Sequence, residues 1–165
     1  MEGILSRLQR WRHSRGFGVH SPFAFRFITE TLHQPYAYYA YSRLAQQRQR
    51  LLYRVTLAFG TRNPLAAGLD KPLVEALRLA ARRKGPKGAH DFIALDATAA
   101  DSAAIVDAAR RIADGTPAII YNSHRFPTAD TLGALKHGMT FANTAGTIII
   151  APLPHLPRQD FRLNF

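Results

Sequence analysis

The apolar positions along the chain divide it into a helical opening and a later alternation of strands and helices. Ile4, Leu5, Leu8 and Trp11 recur at the three- and four-residue spacing of one helix face and predict a helix over about Glu2–His13. The loop from Ser14 to His20 interrupts it, and Ser21-Pro22 restarts a helix that runs to about His33. Serine caps free amides there and proline fits the first turn. A third helix is expected from about Tyr36 toward Leu57. Its stripe is Tyr41, Leu44, Leu51, Leu52 and Val55, with Arg43, Arg48, Arg50 and Arg54 mostly on other faces.

Beyond residue 70 the pattern changes. Asp70 is placed to cap a helix that carries Pro72 in its first turn and Leu73, Ala76, Leu77 and Ala80 along one side. Lys84–Gly88 reads as a turn. Asp91–Asp96 is a short apolar run bounded by acids, the pattern of a buried strand, and Asp101 or Ser102 opens the next helix. Ala118–Tyr121 is a second strand, Thr128–His137 a shorter helix, and Met139–Ala142 and Thr147–Ala151 flank a hairpin loop. Phe161–Phe165 is expected to add a closing strand.

This order predicts an α/β fold: N-terminal helices over residues 1–58, then a truncated Rossmann-like portion over 59–165. Its sheet is expected to be mostly parallel with an antiparallel C-terminal edge, the whole forming one compact unit. Residues 56–90 hold one βα unit of about 30 residues, not three. A sheet of that width leaves an edge that calls for cover by a helix or by a second copy in a homodimer.

Composition narrows the setting. The chain has 165 residues, enough for one core, and no cysteine, which excludes disulfides and thiolate metal sites. No apolar run reaches the length of a membrane span, and Met1–Arg15 lacks the apolar segment of a signal peptide, so a cytoplasmic location is expected. The formal charge is +11, of which +8 falls in residues 1–62, where ten arginines face Glu2 and Glu30 alone. Such a half attracts nucleic acid or another acidic partner, although no recognisable nucleic-acid module accompanies it.

The run Gly18-Val-His-Ser-Pro-Phe-Ala-Phe25, followed by Tyr38-Tyr39 and Leu51-Leu52, resembles the N-terminal segment of a bacterial family of class I methyltransferases. These enzymes use S-adenosylmethionine and are common in the Bacteroidetes. Asp91–Ala97 is similar to the family's fourth strand, Ile119–His124 sits where its fifth strand ends in an acidic pair, and Pro157–Phe165 is similar to its closing strand. The resemblance implies a methyl donor, S-adenosylmethionine, and an unidentified methyl acceptor.

It also implies site residues. The family's cofactor strand ends in an acid and a glycine-rich turn, where backbone amides approach the cofactor too closely for a Cβ. Thr56–Pro64 is the best match, with Phe59 and Gly60 as cofactor contacts, but Ala58 stands at the acid's position and Pro64 interrupts the turn. In the alternative alignment Tyr53–Phe59 ends the long helix and the cofactor turn is deleted. Asp96 is the remaining candidate for the cofactor. Related O-methyltransferases hold Mg²⁺ at such strand ends, which here offers Asp96 and Asn122 with Ser123, a poor oxygen set for a hard dication.

His20, beside a helix start, and His124, just past a strand end, are the candidate general bases. Tyr38 and Tyr39 are candidates to wall a substrate pocket, and helix packing explains them equally well. The function expected is that of a degenerate methyltransferase-like protein with weak or no catalysis. The alternative is a non-catalytic binding protein using its Arg-rich N-terminal half.

Overall fold

A strand apolar at every position needs cover on both faces. Phe92–Asp96 is such a strand, buried throughout. The computed structural model describes residues 21–34, 38–81 and 90–165, and in it this strand lies inside a six-stranded sheet with helices on either side. The helix expected over Glu2–His13, the loop before Ser21 and the turn at Lys84–Gly88 lie outside the described residues.

Helix α1, Pro22–Arg26, starts where expected: the Ser21 hydroxyl accepts from the amide of Ala24 at 3.3 Å. It continues as a π-helix over Phe27–Leu32, which buries Phe27, Ile28 and Leu32. The single long helix expected from about Tyr36 is instead two pieces, a 3₁₀ turn at Tyr39–Arg43 and helix α2 at Gln47–Ala58. The break falls at Leu44, whose side chain is fully buried and whose carbonyl accepts from Arg50 Nε at 2.8 Å. The Gln46 amide donates to Gln49 Oε1 at 2.9 Å, closing the first turn of α2.

Strand β1, Pro64–Ala67, leads into helix α3, Lys71–Ala80, capped by Asp70 as its sequence predicts. Strand β2, Phe92–Asp96, is followed by helix α4, Ser102–Ala113, then by β3, Ala118–Tyr121, and the short helix α5, Thr128–Ala134. The predicted hairpin is β4, Met139–Ala142, and β5, Ile148–Ala151, in register from Met139 opposite Ala151 to Ala142 opposite Ile148. Strand β6 covers Gln159–Arg162, two residues earlier than expected.

The sheet order is β1-β2-β3-β5-β4-β6. Strands β1, β2 and β3 are parallel, β5 runs against both β3 and β4, and β6 is parallel to β4. The sheet is therefore mostly parallel, with its antiparallel pairings in the C-terminal half. Its two edges are short: β1 opens with a proline, and β6 places charged side chains beside partly buried ones. Both devices discourage edge-to-edge pairing.

Side chains alternate between the two faces of β2, and the core divides accordingly. Phe92 and Ala94 pack with α1, the π-helix, α2 and α3, whereas Ile93 and Leu95 pack with α4 and α5. The crossovers β1–α3–β2 and β2–α4–β3 step the same way across the sheet, yet α3 and α4 lie on opposite faces, so the two have opposite hands. One of them is left-handed, against a rule that about 98% of such units obey. Among the described residues, no helix is long and apolar enough to cross a membrane.

Candidate functional site

Ligands of open α/β sheets bind outside the carboxyl ends of the parallel strands. Here those ends bring together Asp96 from β2, Tyr121 and Asn122 from β3, and the start of α2. Asp96 Oδ1 accepts from the Thr98 hydroxyl at 2.6 Å, the Thr98 amide at 3.0 Å and Asn122 Nδ2 at 2.7 Å, while Oδ2 accepts from Arg48 Nη2 at 3.1 Å. Burial pushes the carboxyl up, but the donors from Thr98, Asn122 and Arg48 outweigh it and hold its pKa below the ordinary value. A carboxylate so placed is a poor general base, because protonating it breaks the bonds that keep it ionised.

Asn122 adopts a left-handed backbone, φ 53°, and its amide nitrogen also reaches the Thr98 hydroxyl at 3.2 Å. It therefore turns a donor, not an oxygen, toward Asp96. Among the described residues, no three acidic, histidine or cysteine side chains cluster as a metal site would require. The Asp96–Asn122 pair does not fit Mg²⁺, which wants several oxygen ligands and tolerates no competing donor between them.

Arg48 closes the arrangement from α2. Its guanidinium carbon lies 4.5 Å from the centroid of the Tyr121 ring, and the Tyr121 hydroxyl donates to the Arg48 carbonyl at 3.2 Å. Burial raises the pKa of that phenol, so it is a neutral donor at physiological pH. Next to this group, the turn after β1 is pressed against the turn after β2. Gly68 has φ +66°, and a Cβ built there would stand 2.4 Å from the Ala100 amide nitrogen and 2.6 Å from the Asp96 carbonyl oxygen.

The glycine of close approach is thus Gly68, not Gly60. Gly60 also has a positive φ, +63°, but faces open space at the end of α2. Phe59 packs on Phe27 and Phe92, with ring centroids 5.6 and 5.7 Å apart. Phe92 opens β2 and Asp96 ends it, so the strand's rise puts these two positions about 13 Å apart. Phe59 and Gly60 therefore do not join Asp96 in one crevice. Of the two alignments, the structure has the one in which Tyr53–Phe59 ends the helix.

The other candidates are scattered. Tyr38 stacks edge-on with Tyr41 and Tyr53 at 5.5 and 5.4 Å, a packing cluster against α2, whereas Tyr39 is 98% exposed. His124 sits in an exposed 3₁₀ turn, Ser123–Arg125, and its Nδ1 lies beside Gly146 of the β4–β5 loop. His20 lies outside the described residues. A cavity of about 240 Å³ remains between α2 and the β4–β5 loop, lined among others by Arg48, Arg54, Asn122, Asn143, Thr147 and Phe165. That is below the roughly 300–1,000 Å³ of sites for drug-sized ligands and cofactors. Asp96, already bonded at both oxygens, is not free to hold ribose hydroxyls as the resemblance would require.

The arginine-rich half is also more occupied than its charge implies. Of its ten arginines, Arg26, Arg43, Arg48, Arg50, Arg54 and Arg62 are described. Arg26 pairs with Glu30 at 3.5 Å, Arg43 with Glu75 at 2.7 Å and Arg48 with Asp96. Arg50 bonds the Leu44 carbonyl and lies 5.2 Å from the Tyr41 ring centre, and Arg54 donates to Tyr41 Oη and to the Leu32 carbonyl. Arg62 is left exposed before β1.

Two residues that matter here have signals in the sequence. Arg48 stands four and seven residues before the buried Leu52 and Val55, at helical spacing from them although itself exposed. Gly68 lies between a short apolar run and the Asp70 cap, where a strand passes into a helix. The chain matches no family model, no curated protein and no solved structure.

Proposed function

We propose that this chain is a methyltransferase-like scaffold that no longer transfers a methyl group and acts by binding. The observation that carries this reading is the saturated Asp96, held by Thr98, Asn122 and Arg48 at the point where a cofactor would need a free carboxylate. The contact of Gly68 with the Asp96–Ala100 turn supports it, since the space between the first two strand ends is filled by the protein's own backbone.

Ancestry is supported by the resemblance of Gly18–Phe25 and by the opposite hands of the two crossovers. In a doubly wound sheet the first helix leads outward to further strands, and the chain later returns to the other side of the first strand. Removing the strands between leaves one helix on each face of neighbouring parallel strands, the arrangement of α3 and α4.

Calorimetric titration with S-adenosylmethionine tests the reading. No saturable heat is expected at millimolar cofactor, with wild type or with Arg48→Ala. Saturable binding to the wild type, with transfer of labelled methyl to any acceptor, overturns it.

A further inference from the structure

A helix as short as the one the sequence predicts over Glu2–His13 is marginal in water and is stabilised by packing its apolar face. That face is Ile4, Leu5, Leu8 and Trp11, and the segment also holds Arg7, Arg10 and Arg12 of the basic half. It ends shortly before Ser21, where α1 is capped.

At that point the structure has an open groove. Phe23, Arg26, Phe27, Glu30 and Thr31 form one wall, at the three- and four-residue steps of a single face that runs from α1 into the π-helix. Ala58, the exposed last residue of α2, stands on the other side. The groove measures about 550 Å³. Its floor is apolar, with Phe27 buried and stacked on Phe23 at a centroid distance of 5.7 Å. Its rim is the Arg26–Glu30 pair, 3.5 Å long with side chains 74% and 63% exposed, too solvated to hold Glu30 tightly. Glu30 is the one acid between residues 3 and 69.

We propose that residues 2–13 pack into this groove as an amphipathic helix, the apolar stripe toward Phe23, Phe27 and Ala58 and the arginines toward Glu30. The connection suits this occupant. Ser14–His20 reaches about 25 Å at most, lies within the length of about 2–8 residues that joins packed helices, and carries Gly16 and Gly18 where the chain must reverse. Such a tether holds the segment at an effective concentration on the order of millimolar, which favours it over a second copy. This goes beyond the loss of methyl transfer and does not depend on it.

The full chain carries its own reporters, because Trp11 is its single tryptophan and it has no native cysteine. A nitroxide attached through Ser6→Cys, outside the apolar stripe, is expected to broaden the Thr31 and Ala58 amides and not that of Val106 on α4. Trp11 emission is expected to lie to the blue of solvent-exposed tryptophan and to resist acrylamide. Leu8→Asp, in the segment, and Ala58→Arg, in the groove, are each expected to lower the ratio of docked to free segment about tenfold or more, moving emission to the red and sharpening both amides. Val106→Arg, at a position 67% exposed on α4, leaves both signals unchanged. Solvent-like emission in the wild type, unbroadened Thr31 and Ala58 amides, or signals that survive Leu8→Asp overturn the proposal. So does broadening between separately labelled chains, which makes the occupant a second copy, or a blue shift that needs phosphatidylglycerol vesicles, which makes it a membrane.

Discussion

Arg48 and Tyr121 hold each other twice, through the guanidinium over the ring at 4.5 Å and through the phenol hydroxyl on the Arg48 carbonyl at 3.2 Å. The pair fastens α2 to the end of β3 and fixes the wall of the candidate site. Tyr121→Phe keeps the ring and loses one hydrogen bond, so a loss of about 0.5–1.5 kcal/mol is expected. Tyr121→Ala removes a fully buried ring as well, and about 3–5 kcal/mol is expected from urea denaturation.

Asp96 predicts an acid-sensitive limb of stability. Its folded pKa is lowered, so its contribution is complete above the ordinary carboxylate value and disappears as pH falls through the lowered one. Asp96→Asn is expected to destabilise the protein at pH 7 and to flatten the decline below about pH 4. Unfolding midpoints measured from pH 7 to pH 2 in both proteins check this, and parallel curves would contradict it.

Gly68 and Gly60 separate backbone strain from steric closure. Both have positive φ, but a Cβ at Gly68 meets main-chain atoms at 2.4 and 2.6 Å, while at Gly60 it meets nothing within 4 Å. Gly60→Ala is expected to cost about 1–2 kcal/mol, the left-handed penalty alone. Gly68→Ala is expected to cost more than about 3 kcal/mol, because the turns after β1 and β2 must part. Denaturant midpoints of the two variants give the comparison.

The Arg43–Glu75 pair is the contrasting case. It is short, 2.7 Å, but its side chains are 62% and 50% exposed. Arg43→Ala is expected to change stability by no more than about 1 kcal/mol, with a difference that shrinks as salt rises. Melting curves at low and high ionic strength measure both effects.

The sequence was most legible where a local signal and burial coincide. Phe92–Asp96 and Ala118–Tyr121 are apolar runs between turn residues, and both are buried strands. Ser21, Asp70 and Asp101 each accept from the amide three residues on, as their helix starts predict. Strand β1 was illegible because Pro-Leu-Ala-Ala is too short and too weakly patterned to show a period. The break at Leu44 was hidden because Leu44 falls in step with the stripe of α2, and only the structure shows its carbonyl turned to the Arg50 side chain. The site was harder still. Arg48 looks like one more surface arginine until α2 is laid on β3, and Gly68 gains its meaning from Ala100, far along the chain.

The two crossovers of opposite hand bear on how the molecule comes apart. β2, β3, β5, β4 and β6 form a continuous sheet without β1, which joins along a single neighbour over four residues. Helix α3, which follows β1, docks on the face opposite to α4 and buries Leu73, Ala76 and Leu77 in the core there. Amide hydrogens at the two edge seams, β1–β2 and β4–β6, are accordingly the ones expected to exchange with solvent deuterium soonest among the strands, while β2, β3, β5 and β4 stay closed.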